Sequence, residues 1–102
     1  MTVRYSPRSQ RDLANIRDFI VAEAGNRQAA DHYLARLLDA CDALAILPER
    51  YAPYRYAPGW RMMPFGNYLV FFQVRGDDVR IGHVRHGARK PFHGHGLGSK
   101  LG

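Results

Sequence analysis

A chain of 102 residues with 46% hydrophobic content is long enough to bury one real core and too short for a multidomain enzyme. Its single cysteine, Cys41, excludes a disulfide framework within the chain and suits a reducing compartment. No apolar run is long enough to cross a bilayer and no secretory leader opens the chain, so a cytoplasmic location with no membrane partner is expected.

The formal net charge of +6 is unevenly divided. Residues 1–49 hold six arginines against seven acids, whereas residues 50–102 hold seven arginines and two lysines against only Asp77 and Asp78. Such asymmetry suggests an anionic partner, either nucleic acid or an acidic protein segment, or both in turn. A solvated surface that happens to be basic is the plainer alternative. Thirteen of the fifteen cations are arginine, which favours bidentate contact with carboxylate or phosphate.

Val3-Arg4-Tyr5 is a short candidate strand, closed by Ser6-Pro7, and proline is tolerated in the first turn of the helix that follows. Leu13, Ile16, Phe19, Ile20 and Ala24 then recur at helical spacing. Gly25 supplies a left-handed stop and Asn26 a cap for a second helix. That helix carries its apolar face on Ala30, Tyr33, Leu34, Leu37, Leu38, Cys41, Leu44 and Ala45. It ends near Leu47-Pro48, since the residue before proline avoids helical geometry. The two helices form an antiparallel hairpin with a shared seam.

Residues 48–59 read as an irregular loop rich in proline, tyrosine and arginine. Trp60 to Pro64 follows as a short strand. Asn67 to Arg75 is a strong strand, with Tyr68, Val70, Phe72 and Val74 on one face and Leu69, Phe71 and Gln73 on the other. A strand apolar on both sides belongs in the middle of its sheet. Gly76-Asp77-Asp78 makes a hairpin loop. Val79 to His86 returns, with Val79 and Ile81 on one face and Val84 on the other. The expected fold is α+β, in the order β-α-α-β-β-β, with the helical hairpin packed on one face of an antiparallel sheet. Residues 1–90 form the single domain, and the glycine- and histidine-rich segment 91–102 is expected to be a flexible tail.

This order, with these residues in place, resembles the RelE/ParE toxin superfamily, and most closely its ParE branch. The resemblance rests on Tyr5-Ser6-Pro7 leading to Asp12-Leu13 and Ile16, on Ala29-Ala30, and on Leu47-Pro48. It also rests on Arg61 ahead of Phe65-Gly66-Asn67-Tyr68-Leu69-Val70-Phe71-Phe72, and on a closing strand from Val79 to Arg89. It covers roughly residues 2–90. No single motif is diagnostic; order and spacing together are specific.

The resemblance implies a type II toxin, of the kind linked with plasmid stabilisation, that inhibits DNA gyrase. It would be neutralised in a hetero-oligomer by a cognate acidic antitoxin, and would need no cofactor. RelE-like relatives instead cleave mRNA on the ribosome, and a binding module of the same fold without toxicity is a third reading. Metal-free RNA cleavage needs a base, a leaving-group acid and cations around one phosphate. Arg61, Arg85 and His86, with His83, are the candidates here, and Glu49 and Tyr51 precede them. However, RelE-like enzymes carry lysines in the loop before the sheet and a tyrosine after the last strand. This loop has no lysine, and His86 or Gly87 stands at the tyrosine's place.

For partner binding the candidates are Arg50, Tyr54, Arg55, Trp60, Arg61, Arg85, His86, Arg89 and Lys90. Interleaved aromatic and cationic residues suit base stacking, and they equally suit a protein interface; the interface is preferred. Arg61 either pairs with a helix carboxylate, Asp39 or Asp42, or faces an anionic partner. Arg85 and Arg89 are expected to be exposed. His83, His86, His93 and His95 suggest no metal site, because His83 and His86 point to opposite faces. Cys41, Met62, Met63 and Phe65 are assigned to the core.

Overall fold

The computed structural model describes residues 1–87. The expected tail, together with Arg89, Lys90, His93 and His95, lies outside the described residues. Strand β1 (Thr2–Tyr5) is followed by helices α1 (Pro7–Ala24) and α2 (Arg27–Asp42), then by 3-10 turns at Ala43–Ala45 and Pro48–Arg50. Strands β2 (Arg61–Phe65), β3 (Tyr68–Arg75) and β4 (Asp78–His86) complete the fold.

The helices form where their caps direct them. The Ser6 side chain accepts from the Ser9 N–H at 3.0 Å, with Pro7 in the first turn, and Asn26 caps α2 through the N–H groups of Gln28 and Ala29. Gly25, at φ 64, takes the left-handed conformation that ends α1 and that a residue with a Cβ disfavours.

The sheet runs β1-β4-β3-β2. β2, β3 and β4 are antiparallel neighbours, and β3 is central, as its two apolar faces require. β1 instead pairs in parallel with β4, Thr2 opposite Asp78 through Tyr5 opposite Ile81, so the sheet is mixed rather than wholly antiparallel. The helical hairpin is the crossover that permits this pairing, because neighbouring parallel strands cannot be joined by a tight turn.

One face of the sheet, through Val70, Phe72, Val79 and Ile81, packs with Ile16, Leu34, Leu37 and Cys41 of the helices. Val84 belongs to this same core, contrary to simple alternation. A bulge opposite Phe71/Phe72 inserts Gly82 between Ile81 and His83, and an extra residue resets which side chains face inward. Phe19, expected in the seam, is 55% exposed.

Candidate functional site

The far face of the sheet is covered only in part. Residues 51–60 wrap around the β2 edge. Tyr51 meets Phe72 on the helix-bearing side at 6.2 Å, while Ala57 and Trp60 bury themselves with Phe71 on the other. Backbone bonds hold this lap in place: Tyr54 N donates to Trp60 O at 2.7 Å and Met62 N to Ala52 O at 3.2 Å. Trp60 lies against Gly82, where any Cβ would strike the indole ring. Its Nε1 is buried without a hydrogen-bond partner among the described residues, so shape alone seats the ring.

Arg61 answers neither sequence alternative. Its guanidinium donates to the carbonyls of Tyr51 at 2.7 Å and Glu49 at 3.3 Å, pinning the start of the lap rather than pairing with Asp39 or Asp42. Arg50 and Arg55 remain exposed, over the rings of Tyr51 and Tyr56 at 5.0 and 5.1 Å. Just before them Ile46 and Leu47 are both 71% exposed, and Leu47 sits at φ 51. A branched side chain held there costs backbone energy, and no pattern in the sequence signalled it.

At the opposite end of the sheet, β4 extends past β1 and is met by α1. Asp12 closes this gap. Its Oδ2 accepts from the Val84 N–H at 3.0 Å and from His83 Nδ1 at 2.6 Å. Arg8 approaches His83 Nε2 at 3.3 Å; arginine can only donate, so the proton of this imidazole belongs on Nδ1, directed at Asp12. Burial pushes the Asp12 carboxyl up, but the bonds from His83 and Val84, with Arg8 close by, outweigh it and hold the carboxyl below its ordinary range. A groove of about 470 Å³ follows this seam, walled by Ile16 and Phe19 on one side and Arg85 and His86 on the other.

Of the proposed nuclease residues, His83, Arg85 and His86 border the same groove, and Arg61 stands apart from it. His83 and Arg85 lie on the far face, opposite Phe71 and Leu69, and are 5% and 9% exposed, which corrects the expectation of an exposed Arg85. His86 is on the helix-bearing face beside Tyr68, at 5.5 Å. Arg61 shares that face but stands level with Phe72 and Ile81, four rungs of the ladder from His86, about 13 Å along a strand. Among the described residues no group of three or more His, Cys, Asp or Glu could hold a metal ion. Burial pushes the Cys41 thiol up to about 12, which leaves it an unreactive core residue.

A helical hairpin on a mixed four-stranded sheet, with Arg50 and Arg55 exposed beside half-buried tyrosines in the loop, defines a small α+β protein. The chain belongs to the ParE toxin family of the type II toxin–antitoxin system parDE, whose family model matches residues 3–91. The fold is shared with a solved structure described as the chromosomal ParDE TA system from P. aeruginosa. The TM-score is 0.76 at 19% identity, covering 84% of this chain and 95% of that one. No curated protein sequence matches the chain. No helix among the described residues is long and apolar enough to cross a membrane.

Proposed function

We propose that this toxin acts in the cytoplasm by binding and inhibiting DNA gyrase, without catalysis, and that a cognate antitoxin silences it in a hetero-oligomer. The observation that carries the reading is that Arg61 is tied to the Glu49 and Tyr51 carbonyls away from the groove, while His83, within the groove, is 5% exposed and held between Asp12 and Arg8. General acid–base cleavage needs its groups open and within hydrogen-bond reach of a single phosphate, so this arrangement favours binding over RNA cleavage.

The antitoxin's acid-bearing segment has two places to settle. One is the groove between α1 and β4, where Phe19 offers an exposed apolar wall and His86 a half-buried polar end. The other is the exposed Ile46-Leu47 step with Arg50, Tyr54 and Arg55 beside it. An amphipathic segment with acids on one flank matches either. Arg61 and Trp60 support the second place by holding the lap rather than by touching the partner. Arg89 and Lys90 follow Arg85 and His86 in the sequence.

Induced expression in growing cells tests the reading. DNA breaks and filamentation while amino-acid incorporation continues are expected. Translation arrest with cleaved mRNA would move the protein to the ribosome-dependent nucleases, and unimpaired growth would make it a non-toxic binding module.

A further inference from the structure

We infer that the uncovered half of the far sheet face, together with the start of α1, is a binding site for the phosphodiester backbone of nucleic acid. Its arginines are distinct from the residues assigned to the antitoxin above, while Asp12 and Asn15 border both this site and the groove between α1 and β4. The lap of residues 51–60 stops at Gly82, leaving a cleft of about 730 Å³ between β1, β4 and the first turns of α1. Arg4, Arg8, Arg11 and Arg80 line it, and among the described residues Asp12 is the only acid that does. That carboxylate is turned to His83 and the Val84 N–H.

The arrangement works against the stability of the free protein. Arg4 and Arg80 are direct cross-strand partners, and like charges in that position repel. Asp78 relieves them incompletely: its Oδ2 is 3.0 Å from Arg4 Nε but 4.0 Å from Arg80 Nη2, and both arginines remain well exposed. Arg11 is exposed one turn after Arg8 on α1 and has no carboxylate partner among the described residues. The N-terminus of this 18-residue helix opens onto the same cleft and adds its positive dipole end.

The geometry favours phosphate over an acidic peptide. Only Arg4 stands on an edge strand, β1, whereas Arg80 is on β4 and Arg8 and Arg11 are on α1. A peptide laid across all four would therefore leave the β1 edge and gain no continuous main-chain ladder. Point contacts between arginines and a regularly charged strand remain, and this is how proteins grip a nucleic-acid backbone without reading its sequence.

The test is fluorescence anisotropy of the whole chain with a labelled duplex DNA of ~20 base pairs and a single-stranded RNA of equal length, over a range of salt. Arg11→Gln/Arg80→Gln is compared with Arg27→Gln/Arg36→Gln, which removes the same charge from exposed positions elsewhere. The cleft variant should weaken binding about tenfold or more and lower the salt slope by about 2, whereas the control changes little. Tighter binding of one nucleic acid identifies the source of the backbone. Equal weakening by both double variants, no binding to either nucleic acid, or preferential binding of poly-L-glutamate would each overturn the assignment. Arg11→Glu alone, on an exposed helix position, repeats the test if the strand substitution unfolds the protein.

Discussion

Gly82 and Trp60 show how one small residue positions a surface. The bulge places Gly82 under the indole, and the absent Cβ is the space the ring occupies. Gly82→Ala should displace the ring and destabilise the fold by about 1–3 kcal/mol. Because Trp60 is the only tryptophan, its emission maximum should move to longer wavelength as the denaturation midpoint falls. The Asp12 carboxylate has a comparable role at the other seam, with its pKa held below the unfolded value. Its contribution is therefore complete above about pH 4 and lost as pH falls through the folded value. Urea titrations from about pH 5 to about pH 3 should show stability dropping in the parent and a flatter profile in Asp12→Asn. His83 drew notice in the sequence as a catalytic or metal candidate. Its partner is 71 positions away, so no local spacing revealed that the imidazole is enclosed.

At the scale of elements, α1 depends on a residue with two tasks. Ser6 Oγ accepts from the Ser9 N–H and donates to the Gly82 carbonyl, coupling the helix start to the bulge. Ser6→Ala should cost about 1–2 kcal/mol, read as a lower denaturant midpoint at unchanged slope. Both helices, the central strand and the turn between β3 and β4 are legible from apolar periodicity, Pro7, Gly25, Asn26 and Gly76. Three features were not. The bulge at Gly82 leaves no signal in an alternation only a few residues long, so simple alternation puts Val84 on the face opposite to the one it occupies. The parallel pairing of β1 is decided by where the crossover delivers the chain, which no residue of β1 encodes. The burial of Arg85 follows from its setting in the folded sheet, whereas its sequence neighbours suggested exposure because they supply no acids.

Across the whole molecule, the excess positive charge has distinct destinations. Arg61 is spent on loop carbonyls, Arg50 and Arg55 remain outward beside aromatic rings, and Arg4, Arg8, Arg11 and Arg80 gather at the uncovered sheet face. The C-terminal excess seen in composition therefore understated the N-terminal share, because β1 and α1 contribute three of the four arginines at that cleft. Reversing Arg50 and Arg55 to glutamate should weaken antitoxin binding at least about tenfold through lost charge complementarity, measured by calorimetry, with the melting temperature nearly unchanged.

The most direct test uses purified gyrase, relaxed plasmid and ATP. Added toxin should suppress supercoiling and leave cleaved plasmid, and prior mixing with the cognate antitoxin should restore full activity. Undiminished supercoiling at saturating toxin, with ribosome-bound mRNA cut by the same preparation, would contradict inhibition by binding.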